Sequence, residues 1–388
     1  MEMENKTQVV ALALGYPQRT HNISDALLAE GVIRWGRRAG WDLIDLGAWR
    51  WKIPSEMKVE GLIYNPGLSS REMLESLVGE IPFKVRIDPP EKAEHKRDVE
   101  TDWEAVGQQA AEYYLDRGFR NFALAAYRTS EWIQSLRVFK ERIEQAGGRC
   151  EVIRNMHMGG TNLEKVRKSV SRQLRELTYP LGIFCADDQL AVRLCRWCLE
   201  NGIAVPEQAA ILGYGNHAVA CNLSPVALSS IDPHLEQHGY EAARLLQRMM
   251  DGETIPGGTL VRVPPNGIVT RRSTDITAIP DAQAARALRY IWDHYAWSIY
   301  PDEIASSCGM SRRNLDRHFK QALGRTAAQE ITRQRLRRAR ELLASGEMDA
   351  ADIAERVGFS TPQYFNFRFK QHFGLTPQRY RENKRKKH

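Results

Sequence analysis

The chain has 388 residues, 43% of them hydrophobic, and a formal net charge of +7. That length allows two or three domains with ordinary cores, and no unbroken apolar run reaches the ~18 residues of a membrane-spanning helix, which argues against an integral membrane protein. The charge is uneven, with 21 Lys+Arg against 11 Asp+Glu in residues 282–388 and 34 against 37 in residues 1–281, so a polyanion is the expected partner of the C-terminal segment.

From the N-terminus, MEMENKTQ runs straight into a strand-like VVALAL with no charged-then-apolar leader, so a cytoplasmic protein is expected. Up to about residue 270, short β-rich runs (Val9–Leu14, Gly61–Tyr64, Phe83–Ile87, Asn121–Ala125, Leu181–Cys185, Ala210–Tyr214) alternate with helix-period segments (Ser24–Arg38, Asp102–Arg117, Leu136–Gln145, Asp188–Asn201, Leu235–Met250). Such alternation predicts parallel sheets covered by helices. Its length exceeds one typical sheet, so two α/β lobes are expected, with ligands beyond the carboxyl ends of the strands. Asp102 reads as a helix N-cap and Gly118 as the stop of the same helix.

The cysteines Cys150, Cys185, Cys195, Cys198, Cys221 and Cys308 are scattered through apolar stretches and read as reduced core thiols. The CxxC spacing of Cys195 and Cys198 has no second pair to complete a zinc site. His234 and His238 lack the glutamate of HExxH and read as solvated or capping residues. No phosphate-binding loop, zinc-protease motif, nucleophile triad or paired carboxylates is evident, so no catalytic residue, metal or cofactor is assigned, and an enzyme is not expected.

Residues 273–281 are polar, end in a proline and aspartate, and read as a linker between an effector domain, 1–272, and a helical domain, 282–388. The helical domain repeats itself. Ile304, Ala305, Gly309 and Ser311 recur 49 residues later as Ile353, Ala354, Gly358 and Ser360, and Phe319, Lys320, Gly324 and Thr326 recur 50 residues later as Phe369, Lys370, Gly374 and Thr376. Each copy is a helix, a glycine turn and a second helix, the pattern that places a helix in the major groove.

In the first copy Pro301-Asp302-Glu303 starts a helix through Ser307, Gly309 turns, and Ser311 caps the next helix. With Leu315 and Phe319 inward, the outward face holds Arg313, Asp316, Arg317 and Lys320, joined by Arg312 at the helix start. Arginine suits guanine, while Asp316 can accept from cytosine or orient a neighbouring arginine. In the second copy the helix starts near Ser360 with Pro362 in its first turn. With Phe365 and Phe369 inward, Gln363, Asn366, Phe367 and Lys370 face out. Gln363 and Asn366 suit adenine and Phe367 a thymine methyl, unless the phase is off by a residue and Phe367 is core. Between the copies, a helix from about Ala327 to Ala344 carries Arg333, Arg335, Arg337, Arg338 and Arg340. It spans ~27 Å, and with helix widths added sets the two recognition helices about one DNA turn apart. Its arginines are expected to divide between ion pairs and phosphate contacts.

Residues 285–381 resemble an AraC-type DNA-binding domain. The resemblance rests on Ile304-Ala305 with Gly309-Met310-Ser311, Leu315 with Phe319-Lys320, Arg335-Leu336, Leu342-Leu343, Ile353-Ala354, Gly358-Phe359, Phe369-Lys370, Thr376-Pro377 and Tyr380-Arg381. Where this family usually has Arg or a polar residue, two places before the second Phe-Lys, Phe367 stands. Upstream, Asp188, Gly202-Ile203 with Val205-Pro206-Glu207, Gly213-Tyr214, Ser229-Ser230-Ile231 and Gly239-Tyr240 resemble the effector domain of LacI-type regulators, although no LacI-type DNA-binding segment precedes Val9. The order of the two domains resembles that of xylose-operon regulators.

The resemblance implies an α/β two-lobed periplasmic-binding-protein-like (type I) domain followed by an all-α double helix-turn-helix domain. It implies a transcription regulator of carbohydrate metabolism, an activator as a first expectation. The expected partners are a double-stranded DNA operator, a small carbohydrate effector, a second copy in a homodimer, and RNA polymerase. Where LacI-type domains often have Asp after the Gly-aromatic pair this chain has Gly215, and where they often have Arg before the aromatic at Phe139 it has Ser135. Both family residues grip hydroxyls, so xylose does not carry over directly as the ligand. Effector candidates are Tyr16, Tyr127, Trp132, Asp188, Gly215 and Asn216, with Trp49, Trp51, Tyr64 and Asn65 as further strand-end residues; Asp188 either bonds ligand or caps its helix. The alternative is a front domain that only dimerises and has a degenerate pocket.

Overall fold

Apolar runs without alternation, such as LGIFC at Leu181–Cys185, belong in strands covered on both faces, and that strand is buried at every residue. In the computed structural model, residues 7–14, 23–46, 57–65, 81–88, 97–126, 133–154, 156, 163–279, 281–345 and 348–386 are described. The first sheet has strand order β11-β5-β4-β3-β1-β2, from β1 (Val9–Ala13), β2 (Asp42–Asp45), β3 (Gly61–Tyr64), β4 (Phe83–Ile87), β5 (Arg97–Thr101) and β11 (Thr259–Val263). The second has order β12-β10-β9-β8-β6-β7, from β6 (Asn121–Ala125), β7 (Arg149–Ile153), β8 (Leu181–Cys185), β9 (Ala209–Tyr214), β10 (Ser229–Asp232) and β12 (Gly267–Val269). All pairings are parallel except β10 with β12.

Around the sheets lie α1 (Ile23–Ala39), α2 (Trp103–Asp116), α3 (Ile133–Gln145), α4 (Leu163–Glu176), α5 (Asp188–Glu200), α6 (Ala218–Leu223) and α7 (Leu235–Met250). Helix α2 begins where the sequence places it, the Asp102 carboxylate accepting from the Ala105 N–H at 2.9 Å. Gly118, at φ +82°, follows its end. Helices α1 and α7 pack so closely that a Cβ at Gly31 would lie 1.9 Å from the Glu236 carbonyl and one at Gly239 1.9 Å from that of Leu28.

The chain crosses between the sheets three times: after β5, after β10 and between β11 and β12. The crossings are tied together. The Asp102 N–H donates to the Val263 carbonyl at 2.8 Å and that of Asn266 to Asp232 at 2.9 Å. Thr101 Oγ1 sits 3.3 Å from the Tyr214 hydroxyl and 3.2 Å from His238 Nε2. This corrects the sequence reading of His238, which is fully buried in this hinge and not solvated; His234 occupies its N-cap position in the left-handed region without a side-chain capping bond.

The segment read as a linker is anchored to the effector domain at its start. Ser273 and Thr274 are fully buried. Ser273 Oγ accepts from the Ser229 N–H at 2.8 Å and donates to the Ile211 carbonyl at 2.6 Å. Beyond it come α8 (Ala282–His294), α9 (Pro301–Ser307), α10 (Arg312–Leu323), α11 (Ala327–Ser345), α12 (Ala350–Arg356), α13 (Pro362–Phe373) and α14 (Pro377–Lys386). They enclose two small cores, and α11 contributes Ala327 and Ile331 to one and Leu336, Ala339 and Leu343 to the other. Among the described residues no helix is long and apolar enough to cross a membrane. The six cysteines are unpaired, and all but Cys150 are buried.

Candidate nucleic-acid interface

Each half of the helical domain is a helix, a left-handed glycine and a capped second helix. In the first, Gly309 turns at φ +67° and Ser311 accepts from the Asn314 N–H at 3.3 Å to start α10. Leu315 and Phe319 are fully buried, each burial contributing about 1.5–3 kcal/mol. That anchors the opposite face outward, where Arg313, Arg317 and Lys320 are exposed. Arg312 and Asp316 are turned to each other, Nε to Oδ2 at 3.1 Å, with Arg312 also 3.4 Å from Asp302. The second Asp316 oxygen accepts from the Ala327 N–H at 3.3 Å, at the start of α11. Asp316 thus holds Arg312 and the start of α11.

In the second half Asp349 caps α12 by accepting from the Ala351 and Asp352 N–H groups at 2.8 and 2.9 Å. Gly358 turns at φ +88°. The cap of α13 is Thr361, accepting from the Tyr364 N–H at 3.1 Å, so the helix starts near Ser360 with Pro362 in its first turn as expected. Phe365 and Phe369 are fully buried, and Gln363, Asn366, Phe367 and Lys370 face out. Phe367 is 61% exposed, which settles the phase of this helix.

Three arginines of α11 make the ion pairs expected of some of them. Arg333 and Arg337 both pair with Asp116 at the end of α2, Arg337 at 3.1 Å, and Arg340 pairs with Glu112 at 3.1 Å. Arg335 donates to two backbone carbonyls, Tyr295 at 2.8 Å and Trp297 at 2.7 Å. These four side chains have protein partners. Next to them Arg117 is held between the rings of Tyr113, at 3.4 Å, and Trp292 of α8, at 4.4 Å. Burial pushes the Arg117 guanidinium down to about 10. The helical domain is thus docked on the C-terminal end of α2. Segment 273–281 joins this contact: the Ala278 N–H donates to the Arg117 carbonyl at 2.8 Å, and Asp281 both caps α8 and pairs with His318 of α10.

In the effector domain, the carboxyl ends of β8, β9 and β10 converge on Asp188. Its carboxylate accepts from Ser230 Oγ at 2.6 Å, the His217 N–H at 2.8 Å and Cys221 Sγ at 3.5 Å. It is fully buried, and burial raises its carboxyl above the usual range against the pull of these bonds. The helix cap is its neighbour, Asp187, accepting from the Leu190 N–H at 2.7 Å. Asp188 is therefore a strut for the 215–217 loop and not the cap. Gly215 sits at φ +120°, where a Cβ would lie 2.8 Å from the His217 ring. The Asn216 side chain spans Asp232, at 3.4 Å, and Arg271, at 2.9 Å.

Ser135 is buried in α3, where a Cβ on Gly107 of α2 would lie 2.3 Å from its carbonyl. Tyr64 is buried on β3, near the ion pair that Arg86 makes with Asp98 at 2.6 Å. Tyr16, Trp49, Trp51, Tyr127 and Trp132 lie outside the described residues. Sequence reasoning did not single out Arg271 or Thr101, which carry no local pattern, and named Tyr214 only as part of the Gly213-Tyr214 pair.

Two family models match parts of the chain. Residues 111–274 match a periplasmic binding protein-like domain and residues 304–383 a helix-turn-helix domain. The chain is 30% identical over 288 residues to the xylose operon regulatory protein of Escherichia coli K12, covering 73% of each. It is also 34% identical over 104 residues to the activator RhaS of Klebsiella pneumoniae, 27% of this chain and 37% of that one. A solved structure described as the xylose-binding transcription activator xylR aligns over 98% of this chain and 99% of its own, with TM-score 0.57 and 25% identity. With an effector-type α/β domain joined to an AraC-type double helix-turn-helix, this chain belongs to the family of xylose operon regulatory proteins, which are transcription regulators.

Proposed function

We propose that the chain binds an operator through α10 and α13 and that a small carbohydrate between its two lobes controls this binding. The observation that carries the reading is the presence, on one chain, of outward faces on α10 and α13 and a two-lobed domain docked on α11, away from those faces. Arg313, Arg317 and Lys320 read one groove segment and Gln363, Asn366, Phe367 and Lys370 the next, with Arg312 and Asp316 shaping the first. The relatives support activation, which requires contact with RNA polymerase, and a pentose-like effector. A homodimer on paired sites, in the cytoplasm, completes the proposal.

Coupling follows from α2. It starts at the hinge, at Asp102, and ends at the dock, at Asp116, ~21 Å along its axis. A ligand that favours closed lobes turns this rod and the domain attached to it, by an amount set by its differential affinity for the two states.

The test is footprinting of the full chain on DNA, with and without D-xylose, other pentoses, hexoses and uronates. Protection should span two successive major grooves and change with one sugar. Arg313→Ala and Arg317→Ala should each weaken binding by ~1–3 kcal/mol and relax preference at one subsite. Wild-type binding by both would remove the assignment of α10. A second reading, a front domain that only dimerises, is favoured by Gly215 and by the self-contained bonding of Asp188. It predicts a melting temperature indifferent to every sugar.

A further inference from the structure

The duplicated turn glycines are not equivalent. Around Gly309 a Cβ would meet nothing within 4 Å, whereas at Gly358 it would lie 2.7 Å from the Ala296 carbonyl oxygen and 2.8 Å from that of Tyr295. The second turn is therefore pressed against the backbone that leads from α8 to α9 in the first unit. The same stretch is also held by Arg335 of α11, which donates to the carbonyls of Tyr295 and Trp297. The clamp continues into the second recognition helix: Phe359, next to Gly358, is buried and packs on Phe365 at 5.2 Å and Tyr364 at 6.0 Å between ring centroids. Helix α11 alone would leave its two ends free to pivot about one shared rod. The clamp adds a second attachment off the rod's axis, which fixes the angle between the units.

We infer that Arg335 and Gly358 are positioning residues that set the spacing and relative angle of the two recognition helices, and so determine which separation of DNA subsites one chain accepts. A guanidinium is suited to this because its planar fork reaches two carbonyls at once; a lysine ammonium has no such fork. Neither residue reads a base in this scheme. The inference rests on the proposal that α10 and α13 both enter the duplex.

The experiment uses full-length protein and a duplex selected from random DNA by the wild type, with its two subsites located by footprinting. Companion duplexes carry one base pair more or one fewer between the subsites. Wild type should lose at least tenfold in affinity on either companion. Arg335→Ala should lose less than threefold between the three duplexes, and Arg335→Lys should fall between. Thermal melting of each variant checks folding; if Arg335→Ala does not fold, Arg335→Lys decides. A folded variant that keeps the full wild-type spacing penalty overturns the inference, as does a wild type indifferent to spacing. Failure of the wild type to select any sequence would instead overturn the underlying DNA-reading proposal.

Discussion

The guanidinium of Arg337 lies 3.1 Å from the carboxylate of Asp116, although 221 residues separate them in the chain. Asp116 is 2% exposed and also receives Arg333. Removing its charge leaves two half-buried guanidiniums facing each other, a loss of about 3 kcal/mol. Because the pair joins two domains, the loss falls on their contact. Asp116→Asn should speed proteolytic cleavage within residues 275–281 and lower the unfolding midpoint of the helical domain. Unchanged cleavage and an unchanged midpoint would show that the dock is held by other contacts.

Phe367 projects from α13 with 61% of its surface exposed. Phe367→Ala should leave folding stability within ~0.5 kcal/mol of wild type while weakening operator binding by ~1 kcal/mol. The thymine-methyl contact can be isolated with uracil-substituted operator. Wild type should bind that DNA more weakly, and Phe367→Ala should not distinguish the two duplexes. Equal discrimination by both proteins refutes the contact.

Gly215 occupies the place where LacI-type domains often have aspartate. At φ +120° any side chain is strained, and here it would also press on the His217 ring and lie 3.3 Å from an Asp188 oxygen. Gly215→Asp should destabilise the effector domain by ~1–3 kcal/mol. Gly252→Ala, at φ +86° with nothing within 4 Å of its Cβ, gives the backbone cost alone and should be the milder change in chemical denaturation. A Gly215→Asp protein as stable as Gly252→Ala contradicts the packing described for this loop.

Asp281 links the domain junction to α10 through His318. Burial works to raise its carboxyl, but the bond with His318 and those from the Ala284 and Gln283 N–H groups outweigh burial and hold it below the usual carboxylate range. A depressed carboxyl stabilises the folded state above its unfolded value, ~3.9, and this contribution is lost as pH falls through the lower folded value. Asp281→Asn should therefore be less stable than wild type at neutral pH, with the gap closing below about pH 4. Urea midpoints from pH 7 to 2.5 check this; a gap that persists in acid assigns the effect to packing instead.

What the residues alone determined was everything set by short spacing. The repeat of Ile-Ala, glycine and Phe-Lys placed two turn-linked helix pairs. The i,i+4 pairs Leu315–Phe319 and Phe365–Phe369 fixed the phase of both recognition helices, because burying one face of a helix leaves no choice for the other. Apolar runs located β1, β3, β4, β6, β8 and β9 but not the more polar or shorter β2, β5, β7, β10, β11 and β12, and Asp102 and Ser311 marked helix starts through bonds within three residues. Tertiary structure decided the rest. Arg333, Arg337 and Arg340 of α11 face carboxylates more than two hundred positions away, His238 meets Thr101 where the chain crosses between the sheets, and Asp188 accepts from Ser230 of β10 and the His217 N–H, which no periodicity ties to it. A charge or a hydroxyl reads the same in sequence whether it meets water, ligand or protein; only the packing of distant segments, which sets the local dielectric and the available partners, decides among them.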